Sequence, residues 1–160
     1  MNEKIDLHNK LIPLFKFLNA GIPEKNLIQS YEATLQSDIK INFQLIAEEY
    51  LAFSCTLKLP NNYSKNFPLE LLQANLNIDD HPQITIGVAV ESSEIVIWSK
   101  QLLAHLHNDA LISSFQKFSY YSDTIKKWVG KENSRPGGSK SREDFTLRRI
   151  YSNHASKTPV

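Results

Sequence analysis

The stretch NDALISSFQKFSYYSDTIKKWV, residues 108–129, has the strongest helical period in the chain and decides how the rest is read. At about 100° per residue, Leu111, Phe115, Phe118, Ile125 and Val129 fall on one line, and Ala110, Tyr121 and Trp128 widen that stripe. Gln116, Asp123, Thr124 and Lys127 take the opposite face. Asn108 or Asp109 is expected to cap the start, Lys126 and Lys127 suit the negative end of the dipole, and Gly130 is expected to stop the helix. So wide an apolar stripe must be covered, and a sheet face from the same chain is the expected cover. Small Ser122, in mid-stripe, would let that sheet approach closely. Tyr121 and Trp128, on the flank, are expected to border a partner site.

Upstream, the period changes from 3.6 to 2. Ile39, Ile41, Phe43 and Leu45 alternate with Lys40, Asn42 and Gln44, and Leu51, Phe53, Cys55, Leu57 and Leu59 alternate with Ala52, Ser54, Thr56 and Lys58. These are two half-buried strands, and the short link Ala47, Glu48, Glu49 makes them an antiparallel hairpin. Residues 27–35 can add a strand before it. A second hairpin alternates Ile84, Ile86, Val88 and Val90 against Gln83, Thr85, Gly87 and Ala89 and returns through residues 94–100. There Ile95, Val96, Ile97 and Trp98 are apolar in succession, which predicts cover on both faces and hence a partner subunit.

Two more helices are expected. LHNKLIPLFKFLNA, residues 7–20, spaces Leu7, Leu11, Leu14 and Leu18 helically and carries more apolar surface than one core contact needs. Pro13 implies a kink, or a start near Asn9 or Lys10, and Gly21, Ile22 and Pro23 end the helix. A short helix over residues 67–75 has Pro68 in its first turn and crowds Leu69, Leu71, Leu72 and Leu76. The whole is an α+β domain in the order α-β-β-β-α-β-β-α, a mainly antiparallel twisted sheet packed by the long C-terminal helix. The domain spans residues 1–130. Residues 131–160, rich in Gly, Ser, Pro and charge, are expected to be a flexible basic tail in which Phe145, Leu147, Ile150 and Tyr151 can order on contact.

The formal charge of +1 over 160 residues hides a split. Residues 1–130 hold 11 basic and 14 acidic side chains, while residues 131–160 hold 7 and 3. The single cysteine, Cys55, excludes an internal disulfide, the first residues lack the apolar run of a signal peptide, and no run suits a membrane span, so a reducing cytoplasm is expected.

Catalytic chemistry finds little support. Cys55 sits among apolar residues of its own strand parity, which points to a buried, inert thiol rather than a nucleophile served by one of the five histidines. The run His105, His107, Asp109 and the turn Asp79, Asp80, His81 contain metal-ligand residue types, but a helix-entry loop and a solvated turn explain them better. Gly137, Gly138, Ser139 and Lys140 lack both the preceding strand and the spacing of a phosphate loop. No cofactor, metal or catalytic residue is expected, and the residues read as those of a binding protein.

Four stretches carry a family likeness: LIPLFKFLNAGIP (11–23), LELLQANL (69–76), ITIGVAVESSEIVIWSKQL (84–102) and FQKFSYYSDTIKKW (115–128). With the order of elements, they make residues 5–129 resemble the class I type III secretion chaperones, the Tir chaperone family of Gram-negative bacteria. The resemblance implies a cytoplasmic homodimer, or a heterodimer with another chaperone. It also implies binding of the N-terminal chaperone-binding segment of a secreted effector, kept export-competent for the secretion apparatus. Family members are usually more acidic and end soon after the last helix. For effector binding the residues suggest Leu11, Leu14, Phe15 and Phe17 on the first helix, with Phe43, Leu45 and Phe53 on a hairpin offering a sheet edge. For the dimer they suggest Leu69, Leu72, Leu76, Val96 and Trp98. The competing expectation is a regulatory protein of similar fold that binds a protein or nucleic acid through its basic tail.

Overall fold

A computed structural model describes residues 6–25, 27, 29–76 and 82–134. Helix α1, Leu7–Phe17, starts where the Asp6 carboxylate accepts a hydrogen bond from the His8 amide at 3.1 Å. Asn9 Nδ2 and Lys25 Nζ donate to the other Asp6 oxygen, and Lys25 holds the Asp6 carboxyl below the usual carboxylate range. This cap sets the start two residues before Asn9, so Pro13 lies inside the helix. The helix ends at Leu18, ahead of Gly21, because Asn19 takes the left-handed conformation (φ 51°) that closes it.

Five antiparallel strands follow the alternation. They are β1 (Ser30–Thr34), β2 (Lys40–Ile46), β3 (Tyr50–Lys58), β4 (Ile84–Ala89) and β5 (Glu94–Leu102), ordered β1-β2-β3-β5-β4 across one sheet. The link between β2 and β3 turns through Ala47 and Glu48 at φ 50° and 61°, which suits a tight hairpin whose strands twist to the right. That hairpin is internal. The edge at its end of the sheet belongs to β1, because the stretch after residue 27 does add a strand.

Between β3 and β4 lies helix α2, Phe67–Gln73, with Pro68 in its first turn, extended by a 3-10 turn, Ala74–Leu76. The turn expected at Asp79, Asp80 and His81 falls outside the described residues, as does everything beyond Ser134. Helix α3, Asn108–Asn133, crosses one face of the sheet and buries Leu111, Phe115, Phe118, Ile125 and Val129 against it. Its N-cap is His107, without a side-chain cap bond; Asn108 is already helical, and Asp109 sits in the first turn, where the dipole favours it.

Gly130 does not stop α3. Glu132, buried in the next turn, accepts a hydrogen bond from the Ser64 amide, and this anchor holds the helix on to Asn133 despite glycine's cost of about 1 kcal/mol. Close approach at Ser122 is realised. The fully buried Ser122 Oγ donates to the Phe118 carbonyl at 2.9 Å and lies 3.3 Å from Cys55 Sγ on β3. The core between sheet and helices is an aromatic cluster in which Phe15 meets Phe43 and both Phe43 and Phe53 meet Phe115.

Candidate protein-binding surfaces

Among the described residues the sheet is covered on one face. On β5, Ile95, Ile97 and Ser99 point into the core, so their alternates Val96 and Trp98 point out. Val96 is half-buried, and Trp98 is 40% exposed between Ser54 of β3 and Thr85 of β4. The run of apolar residues on β5 predicted cover on both sides; the described residues supply one. At the same end of the sheet, α2 sinks Phe67 and Leu71 into the core and turns Leu69 and Leu72 outward, and Leu76, in the 3-10 turn that follows, is 70% exposed. The five residues expected at the dimer interface thus lie on α2, the turn that follows it and the outer face of β5. Exposed Val88 and Val90 near the β4–β5 turn were not singled out from the sequence, because alternation and a turn position explained them.

The position of α2 is fixed from behind. The Trp128 ring lies against Phe67 with centroids 4.8 Å apart, and Tyr121 Oη donates to the Ala74 carbonyl at 3.4 Å. Both side chains are buried, so the flank of α3 does not border a partner site as expected; it supports the helix that carries the exposed leucines. Asn75 joins α2 to the sheet by pairing its amide with the backbone of Ile86 on the edge strand β4.

At the other end, the residues expected to bind a partner divide. Leu11, Leu14 and Phe15 of α1, with Phe43 and Phe53 of the sheet, are buried in the chain's own core, because α1 lies on the same face as α3 and its surplus apolar groups fill the aromatic cluster. Phe17 remains 46% exposed at the end of α1, and Leu45 is half-buried. The edge itself is the feature the alternation did not locate. Leu35 N donates to Ile39 O and Leu45 N to Gln29 O, so odd-numbered residues of β1 bond to β2, and alternation turns the backbone groups of Glu32 and Thr34 away from it. Among the described residues no strand lies beyond β1.

The chemistry of the remaining candidates is modest. Burial pushes the Cys55 thiol up to about 11, and Ser122 is its hydrogen-bond neighbour. Among the described residues no three His, Cys, Asp or Glu side chains gather as metal ligands, and no helix is long and apolar enough to cross a membrane.

The profile of the Tir chaperone protein (CesT) family matches residues 27–119. No curated protein matches the chain. Among solved structures, the Yersinia pestis type III secretion chaperone SycH in complex with a stable fragment of YscM2 is 14% identical, with a TM-score of 0.62 over 74% of this chain and 98% of that one. The ExoT–SpcS complex from Pseudomonas aeruginosa contains a chain 15% identical, with a TM-score of 0.59 over 78% of this chain and 98% of that one. The ExsC–ExsE complex contains one 11% identical, with a TM-score of 0.67 over 87% of this chain and 100% of that one. At these identities the likeness to solved structures speaks for the fold.

Proposed function

The chain belongs to the Tir chaperone protein (CesT) family, whose profile spans more than half of it, and from that premise we propose that it is a cytoplasmic type III secretion chaperone that works by binding, without catalysis. It holds the N-terminal chaperone-binding segment of a secreted effector in an extended, export-competent form and hands it to the secretion apparatus. The observation that carries this reading is the difference between the two sheet edges: on β4 the Asn75 amide takes up both outward backbone groups of Ile86, while β1 ends the sheet with outward-turned backbone groups at Glu32 and Thr34. An extended segment added there gains main-chain hydrogen bonds whatever its sequence, and Phe17 and Leu45 offer apolar contact near the same end. The relatives seen in complexes with YscM2, ExoT and ExsE support a polypeptide partner.

The working unit in this proposal is a two-fold dimer. Leu69, Leu72 and Leu76 with Val96 and Trp98 meet their copies across the axis, and each large apolar side chain so buried contributes about 1.5–3 kcal/mol. Several such groups per subunit offset an association cost on the order of 4–15 kcal/mol. The test is purification of the tagged chain from its native cell and identification of what accompanies it. A secreted protein held through its N-terminal region supports the proposal; capture of nucleic acid or of a non-secreted regulator alone refutes it.

A further inference from the structure

In the turn between β1 and β2, Ser37 is gripped by two α3 side chains of opposite charge. Its hydroxyl donates to the Asp123 carboxylate, its carbonyl accepts from Lys126 Nζ, and all three residues are half-buried. We propose that Ser37 is a positioning residue for partner binding, through which α3 holds the edge strand β1 in place as a template for the added polypeptide. The inference rests on the reading of β1 given above. Ser37 presents one donor and one acceptor; a carboxylate only accepts and an ammonium only donates, so each charged group takes one of them. Three residues apart on α3, Asp123 and Lys126 are neighbours on its surface and reach the same turn.

The turn passes the grip on to the strand. Leu35 N donates to the Ile39 carbonyl at 2.8 Å, the Asp38 amide donates to the Leu35 carbonyl at 3.0 Å, and Asp38 takes the left-handed conformation (φ 60°). The other end of β1 is tied to α1. There the Gln29 side chain accepts from the Leu7 amide at 3.4 Å, one of the N–H groups a helix leaves without an internal partner, and the Tyr31 ring lies 5.7 Å from that of His8. Such ties matter for this strand. It is five residues long, buries Tyr31 and Ala33 alone, and among the described residues pairs only with β2, so its own packing leaves it among the first parts of the sheet to open. A partner that needs β1 in place binds more weakly in proportion to the fraction of chains that have it in place. Ser37 thus acts on affinity by preorganising the edge, without touching the partner.

Two measurements on the full chain test this with Ser37→Ala, with Ser37→Thr, which keeps the hydroxyl, and with Ile97→Val, a core truncation in β5 that lowers global stability at a distance from β1. In hydrogen exchange without a partner, the amides of Tyr31, Ala33 and Leu35, which bond to β2, should exchange about tenfold faster in S37A than in the parent, while amides of β3 and β5 keep their rates. The polypeptide eluted from the tagged parent after purification from its native cell is then offered back to each purified chain. S37A should hold it about threefold more weakly, and S37T and I97V as the parent does. Unchanged exchange at Tyr31, Ala33 and Leu35 overturns the proposal, as does a rise shared by β3 and β5, which makes Ser37 a general stabiliser of the fold. Faster exchange in β1 with capture equal to the parent's removes the positioning role, and so does an equal loss of capture in I97V. A parent that elutes no secreted polypeptide refutes the chaperone reading instead, and the exchange result then still decides whether Ser37 holds β1.

Discussion

Asn75 Nδ2 donates to the Ile86 carbonyl at 2.9 Å, and the Ile86 amide donates to Asn75 Oδ1 at 2.7 Å, so one side chain satisfies both backbone groups of an edge residue. The amide of Asn75 does for β4 what a sixth strand would do, over the length of one residue. An open edge is a template for pairing with other chains, and this bridge interrupts one of the two the sheet possesses at Ile86.

Asn75→Ala should therefore destabilise the fold by about 1–3 kcal/mol, the worth of two partly buried hydrogen bonds, and should promote association through β4. Asn75→Asp keeps the bond from the Ile86 amide but sets a carboxylate against the Ile86 carbonyl, so it should not restore the parent's stability. Urea unfolding of the three proteins measures both effects.

The exposed end of the sheet makes a second prediction. Trp98→Asp or Leu72→Asp should yield a folded monomer by sedimentation at micromolar concentration, because both side chains are exposed in the single chain and lie outside its core cluster. Phe17→Asp should leave the dimer intact and weaken capture of a secreted partner.

At Gly130, a Cβ would meet nothing within 4 Å, and the residue lies inside a helix. Gly130→Ala should stabilise the protein by about 0.5–1 kcal/mol, read as a higher urea midpoint. Ending the chain after Ser134 should preserve the fold. Ending it after Gly130 should lower stability, because buried Glu132 and its bond to Ser64 would be lost.

Cys55 gives a pH-dependent signature. Its pKa, raised by burial from 9.0 to about 11, leaves about one thiolate per thousand at pH 8, so thiol reagents should label the native chain far more slowly than the denatured one. The sign of the linkage follows: a raised pKa contributes stability that is present below 9.0 and is lost as pH climbs towards 11. Cys55→Ser should flatten that part of the stability profile.

Period and parity made most of the fold legible. The stripe of α3, the strands with their buried residues, and Ser122 as a point of close approach all follow from local pattern, because each side of a strand or helix meets one environment. Sheet order does not follow from pattern. That β2 and β3 lie inside the sheet depends on β1, a five-residue strand with only Tyr31 and Ala33 buried, too short to announce itself as an edge. Burial by a distant element is equally invisible: Tyr121 and Trp128 looked like a free flank until α2 was seen to lie against them. The surplus on α1 is spent in the same way, since Leu11, Leu14 and Phe15 are buried in the core cluster, Phe15 against Phe43 of β2. At the exposed end of the sheet, the succession Ile95, Val96, Ile97, Trp98 signals a need for cover that the described residues meet on one face.

The central claim is that two copies of this chain together hold one extended polypeptide. Native mass spectrometry of the complex isolated from its own cell tests it most directly. Two chains with one secreted protein are expected, held through a segment that protease leaves intact while it trims the rest. A single chain, or a pair that carries no polypeptide, would contradict it.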